Sequence, residues 1–140
     1  MKLPVQMFKD KEKNILDPEL LSSVAEKLSS EFAEGKKGMS SHQIRKFYNQ
    51  VLVIRQKIMN AENREDEFKR QLPFIRMLRA QAYYAAYRQN SKVSESFKDF
   101  IDKQVDAISD IKDFEAFCSL FEAIVAFFVA YENLKKARRR

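Results

Sequence analysis

Arginine and tyrosine side chains share one side of a helix that the sequence predicts over residues 72–90. At about 100° per residue these side chains lie next to one another, and no acidic residue occurs from 68 to 92. They are Arg76, Arg79, Tyr83 and Tyr87. Because guanidinium groups bind phosphates and tyrosine rings stack on bases, this side is suited to contact with nucleic acid. The alternative is an ordinary helix whose arginines extend along apolar surface and whose tyrosines are half-buried, and this helix alone leaves both open.

A second group of cations precedes this central helix. Lys36 and Lys37 fall in a predicted loop that either follows a phosphate backbone or is a solvated turn. His42, Arg45 and Lys46 lie on the outer face of a predicted second helix, opposite its apolar stripe. This outer face carries no acidic residue, so it adds to the candidate phosphate-binding surface.

The residues that usually perform catalysis are scarce and far apart. The single histidine, His42, and the single cysteine, Cys118, fall on different predicted helices, so no nucleophile has a neighbouring base. Four carboxylates follow helical spacing on the fourth predicted helix, which is far more often a solvated face than a cation site. They are Glu95, Asp99, Asp102 and Asp106. We therefore predict no enzyme, no catalytic residue, no metal site and no cofactor.

Few turn-forming residues interrupt the chain, which has two glycines and three prolines in 140 residues. Long segments with 3.6-residue periodicity then predict an all-α fold, a compact bundle of about five helices in a single domain, 1–140. Residues 1–14 read as a mobile, polar arm, and 135–140 as a cationic, disordered tail. No apolar leader opens the chain, and one cysteine cannot form an internal disulfide, so we expect a cytoplasmic protein.

Local signals place the helix ends. A first helix is expected from Pro18 to near Gly35, and Ser40 with Gln43 forms a capping box that starts the second. The charged segment 62–71 either extends the second helix or forms the connection to the third, and we favour the linker. The fifth helix begins at Asp110 or Asp113. The predicted packing face of the central helix is Phe74, Ile75, Leu78, Ala82, Ala85 and Ala86.

The fifth helix is apolar around most of its circumference. We expect it at the centre of the bundle. The alternative is that a second protein molecule covers part of it, for which Leu120 and Phe127 are the candidate subunit interface. Its polar residues Glu115, Ser119 and Glu122 argue against a membrane span. Arg55 interrupts the apolar stripe of the second helix, and it either pairs with a buried carboxylate or contacts another chain.

Charge is unevenly distributed along the sequence. The net charge is +6, with +9 over residues 36–92, −6 over 93–134 and +5 over 135–140. A basic middle beside an acidic later part predicts an electrically two-sided molecule, as expected for a polyanion-binding protein, although solubility alone could produce the same pattern.

Three segments in this order carry a family resemblance. They read SSHQIRKFYNQV from Ser40, LPFIRMLRAQAYYAAYR from Leu72 and DFEAFCSLFEAIVAFFVAY from Asp113. Together they resemble the small subunit of Csm complexes, the type III-A CRISPR effectors, over residues 20–131. The most specific features are the FEAI run that begins at Phe121 and the spacing of seven residues in the segment that begins at Leu72. These seven are Leu72, Pro73, Met77, Leu78, Ala82, Tyr84 and Arg88.

The resemblance implies an all-helical, non-catalytic protein of antiviral defence that stacks in several copies inside a ribonucleoprotein. It would support the CRISPR RNA and target RNA duplex, with the backbone and large polymerase-like subunits as further partners and no membrane contact. Arg88 joins the RNA-binding candidates because it matches the family pattern. The complete predicted set is Lys36, Lys37, His42, Arg45, Lys46, Arg76, Arg79 and Arg88. The alternative is a helical scaffold or adaptor that binds only proteins.

Overall fold

Within residues 1–35 and 38–139, the part of the chain that the computed structural model describes, five α-helices form the structure. They are α1 (Ala25–Ala33), α2 (Ser41–Met59), α3 (Arg64–Tyr87), α4 (Glu95–Asp106) and α5 (Ile111–Arg138). An antiparallel hairpin of β1 (Phe8–Asp10) and β2 (Ile15–Leu16), then a π-helical turn over Leu20–Val24, precede them. The predicted all-α bundle of about five helices is confirmed.

Helix α5 packs against α1 and α2, and α3 packs against α2 and α4. A cluster of aromatic rings at the centre joins these layers. Phe121 of α5 lies 6.1 Å from Phe97 and 6.1 Å from Phe100 of α4, and 5.5 Å from Tyr48 of α2, between ring centroids. The two contacts with α4 are edge-to-face, an arrangement that stabilises a core beyond the area it buries.

The position of α5 places part of its apolar surface in the core. Leu120 has 0% of its surface exposed, so its assignment to a subunit interface is wrong and it belongs to the core. Phe127 is half-buried, packs against the core and stacks on Tyr131 with centroids 6.2 Å apart. Among the described residues, α5 is long and apolar enough to cross a membrane by length and composition. Here its buried phenylalanines pack inside the bundle.

Helix α3 is longer than the sequence predicts. Asn63 caps it by accepting a hydrogen bond from the backbone N–H of Asp66 at 3.0 Å, and three acidic residues follow in the first turn. These groups complement the helix dipole, so most of the expected linker 62–71 is helical instead. Pro73 lies inside the helix, and Phe74, expected in the core, is exposed.

The two chain ends are also more ordered than expected. The segment 1–14, predicted as a mobile arm, packs on the bundle: Met7 and Phe8 are buried. The Val5 N–H donates to Gln104 Oε1 at 2.9 Å, and Gln104 Nε2 donates to the Val5 carbonyl at 3.1 Å. At the other end, α5 remains helical to Arg138, through most of the predicted disordered tail.

Candidate nucleic-acid interface

The first turns of α2 present cations to solvent. The capping box is present, with the Ser40 N–H donating to Gln43 Oε1 at 2.9 Å, and it fixes the start of the helix. His42, Arg45 and Lys46 are all exposed, as the sequence predicts. No carboxylate within residues 1–35 and 38–139 forms an ion pair with any of them. The charges of Arg45 and Lys46 are therefore available to an external anion.

Arg88 lies at the same end of the bundle. It is the exposed C-cap residue of α3. A connection of four residues joins α2 to α3, and the two helices pack together, so they run antiparallel. Ser94 Oγ, at the N-cap of α4, contacts Met39 Sδ, just before α2, at 3.6 Å. The antiparallel packing and this contact place the end of α3 near the start of α2.

Arg76 is not part of this surface, in contrast to the prediction. Its Nη1 donates to the carbonyl of Val105, and its Nη2 donates to the carbonyl of Ile108 at 2.6 Å. These carbonyls lie at the C-terminal end of α4, where a helix lacks internal donors and a cation is favoured. Arg76 therefore joins α3 to α4.

Arg79 has a similar role. Its Nε donates to Asp102 Oδ1 at 2.8 Å, and Tyr83 Oη donates to Asp102 Oδ2 at 2.8 Å. Asp102 is buried, and burial by itself raises the pKa of its carboxyl, but the hydrogen bonds from Tyr83 and Arg79 outweigh that effect and hold the pKa below its ordinary value. Arg76, Arg79 and Tyr83 thus serve the junction with α4.

Lys98 completes this junction. Its side chain forms an ion pair with Asp99 and places Nζ 4.9 Å from the centre of the Tyr83 ring and 5.5 Å from that of Tyr87. A cation over an aromatic face is stabilised by the ring quadrupole. The tyrosine faces that we expected to stack on bases therefore lie beside a lysine of the same chain.

Arg55 of α2 pairs with a carboxylate of α5. Arg55 Nε and Nη2 donate to the two oxygens of Glu115 on α5, at 3.1 Å and 3.0 Å. This bidentate pair is partly exposed and explains the arginine within the apolar stripe. Lys36 and Lys37 lie outside the described residues.

Metal-ligand and thiol chemistry would depend on the His, Cys, Asp and Glu side chains of the described residues. No group of three or more His, Cys, Asp or Glu side chains within 1–35 and 38–139 could hold a metal ion. Cys118 is buried, and desolvation raises the pKa of its thiol well above the ordinary value, with Glu115 adding to the effect. A thiol that remains protonated is a poor nucleophile.

The structural role of Arg76 leads to a testable expectation. Arg76→Met should lower the free energy of unfolding by about 1–2 kcal/mol, because two carbonyls lose a charged donor and water replaces it only partly. Urea denaturation followed by circular dichroism measures this change. Arg45→Met, at an exposed site without an ion pair among the described residues, is the control and should be nearly neutral. Equal stability of the two variants would contradict the assigned role.

These features define a class of protein, a small all-helical bundle with exposed cations at one end. A sequence model of the family described as Csm2 Type III-A matches residues 16–133. The chain therefore belongs to this family, the small subunits of type III-A CRISPR Csm complexes, and the resemblance noted from the sequence is confirmed. Small subunits of this family are non-catalytic structural components of the complex. The comparisons with curated proteins and with solved structures give no match.

Proposed function

We propose that this chain is an RNA-binding small subunit that stacks in several copies within a Csm complex and supports the CRISPR RNA and target RNA duplex. The proposed RNA-binding residues are His42, Arg45, Lys46 and Arg88, with Lys36 and Lys37 retained from the sequence. Arg76 and Arg79 are not in this set, because their guanidinium groups bind residues of α4 and the turn that follows it. As a member of a Csm complex, the protein is expected in the cytoplasm, where such complexes are generally found.

The observation that carries this proposal is a difference in ion pairing between Arg79 of α3 and the cations at the start of α2. Both helices present arginines, but Arg79 has Asp102 as a partner, whereas Arg45 and Lys46 have no carboxylate partner among the described residues. Exposed cations that lack an internal partner are the groups that bind a phosphate backbone with release of counterions. They supply affinity without reading base sequence.

Stacking requires surfaces in addition to the RNA face, and α3 offers one. Phe74, Met77 and Tyr84 have 54%, 49% and 73% of their surface exposed, and they follow helical spacing along its outer side. Exposed apolar side chains in a row are typical of protein contacts. This row is better placed than Leu120 to contact another copy or another Csm subunit.

A titration of labelled RNA over a series of salt concentrations tests the proposal. We expect weak binding by the isolated protein, similar affinity for unrelated sequences, and a steep loss of affinity as salt increases. Binding that does not depend on salt, or that requires one sequence, would contradict an electrostatic contact with the RNA backbone.

The second candidate, a scaffold that binds only proteins, is favoured by the same exposed row on α3. The absorbance ratio at 260 and 280 nm of protein purified at low salt separates the two candidates. Co-purified nucleic acid supports the RNA-binding function. A ratio typical of protein alone, together with no binding in the titration, favours the scaffold.

A further inference from the structure

The C-terminal end of α5 is held against the start of α2. Glu132 accepts two hydrogen bonds from Ser41, one from its backbone N–H at 2.8 Å and one from its hydroxyl at 2.8 Å. At the other end of α2, Arg55 binds Glu115, so the two helices run antiparallel with these pairs at either end. The last turns of α5 therefore begin at the level of the cationic turns of α2.

Beyond Glu132, α5 projects past the start of α2. At 1.5 Å per residue, the helix continues for about 9 Å from Glu132 to its last residue, Arg138. Residues 133–139 contain no acidic residue, and all of them are exposed. The cations of this projection are Lys135, Lys136, Arg138 and Arg139.

One of these cations lies beside the Ser41 contact. Lys136 Nζ is 3.6 Å from Glu132 Oε1, the same oxygen that accepts the hydrogen bond from the Ser41 hydroxyl. With 67% of its side chain exposed, Lys136 remains open to solvent and to a further anion. Arg139 follows three residues later, on nearly the same side of the helix.

Two of the α2 residues proposed to bind RNA follow Ser41 closely. At about 100° per residue, His42 lies about 100° around α2 from Ser41, and Arg45 lies about 40° from it, one turn further on. Lys46 lies about 140° from Ser41 by the same count, on the flank away from α5. The tail of α5 thus extends the cationic surface of α2 on the Arg45 side.

We propose that Lys136 and Arg139 of the α5 tail form one binding surface for RNA phosphates together with Arg45 and His42 of α2. This inference rests on the proposed RNA-binding function and deepens it, because it adds a second helix to the site. The partner is the phosphodiester backbone, since the tail offers point charges and guanidinium forks but no aromatic ring after Tyr131. The Glu132 and Ser41 contact fixes the two helix ends relative to each other.

The test is the double variant Lys136→Gln/Arg139→Gln, measured in the RNA titration over the salt series. Each lost phosphate contact on single-stranded RNA should flatten the salt slope by about 0.7, so two contacts remove about 1.4 and weaken binding roughly tenfold at physiological salt. The variant Lys136→Arg/Arg139→Lys keeps both charges and should bind like the unmodified protein. Thermal unfolding should be unchanged in both, because the side chains are exposed.

The matched control is Lys9→Gln/Lys13→Gln. Both lysines are exposed on the hairpin segment, whose Lys11 binds Asp110 and Asp113 at the opposite end of α5. The control makes the same change in net charge and should leave the salt slope intact. Equal losses in the tail variant and the control would overturn the inference.

The outcomes separate this inference from the proposed function. If the unmodified protein binds RNA and the tail variant binds equally well, the tail is not part of the site, whereas the RNA-binding function stands. If the unmodified protein does not bind RNA at low salt, both are overturned.

Discussion

Phe121→Ala should lower the free energy of unfolding by about 3–5 kcal/mol, the largest stability loss that we expect from a single substitution here. The ring is fully buried, and it contacts Phe97 and Phe100 of α4, Phe117 of α5 and Tyr48 of α2. Its removal leaves a cavity where three helices meet, and these helices cannot all move to fill it. Urea denaturation gives the change in free energy.

Phe74→Ala is the matched control, since it removes the same ring from an exposed position on α3. We expect a change within about 0.5 kcal/mol, as for most surface sites. A large loss for Phe74→Ala, or a small one for Phe121→Ala, would contradict the assignment of the two rings to surface and core.

Arg45→Gln/Lys46→Gln should weaken RNA binding roughly tenfold at physiological salt and flatten the salt slope by about 1.4 on single-stranded RNA. Both side chains are exposed, and neither has an ion pair within the described part of the chain. The substitutions therefore remove two whole positive charges from the surface that contacts the RNA. The loss should be equal for unrelated sequences, because backbone contacts do not distinguish bases. Fluorescence anisotropy over the salt series measures both quantities.

The control for this variant must be chosen with the structure in view. By sequence, Lys98 and Lys103 of the acidic fourth helix form a suitable pair, but Lys98 is only 8% exposed and contacts Tyr83 and Tyr87. Its substitution would disturb the junction of α3 with α4. Lys9→Gln/Lys13→Gln avoids this problem. If that control weakens binding as much as Arg45→Gln/Lys46→Gln does, net charge alone accounts for the affinity.

Features that depend on neighbouring residues in the sequence could be predicted reliably. The capping box of Ser40 and Gln43 acts within four residues, and the buried stripe of α2 follows from its period. The exposure of His42, Arg45 and Lys46 follows from the same period, because they lie opposite that stripe. One helix is enough to fix each of these features.

Features that depend on a residue far away in the sequence could not be predicted from the helical period. The helical period places Arg76 and Arg79 on one side of α3, but it does not show which helix packs against that side. The partner is α4, whose Asp102 lies 23 residues beyond Arg79 and whose terminal carbonyls accept from Arg76. The signal available in the sequence was the acidic face of α4, opposite in charge to the arginines of the preceding helix.

The first residues of the chain illustrate the same limit. Their polar composition suggests an arm, yet Val5 exchanges two hydrogen bonds with Gln104, which is 99 residues away and fully buried. A buried glutamine requires partners for its amide, and nothing in its own segment shows where they come from. Such pairs become visible only when the fold brings the two segments together.

The buried state of Cys118 makes this protein convenient for site-specific labelling. Its thiol is shielded among the core helices, and the raised pKa leaves little thiolate to react with maleimides. A cysteine introduced at an exposed position, as in Gln89→Cys beside Arg88, would then carry a fluorophore without removal of the native thiol. Distances from that probe to labelled RNA would report how the bundle is oriented along its ligand.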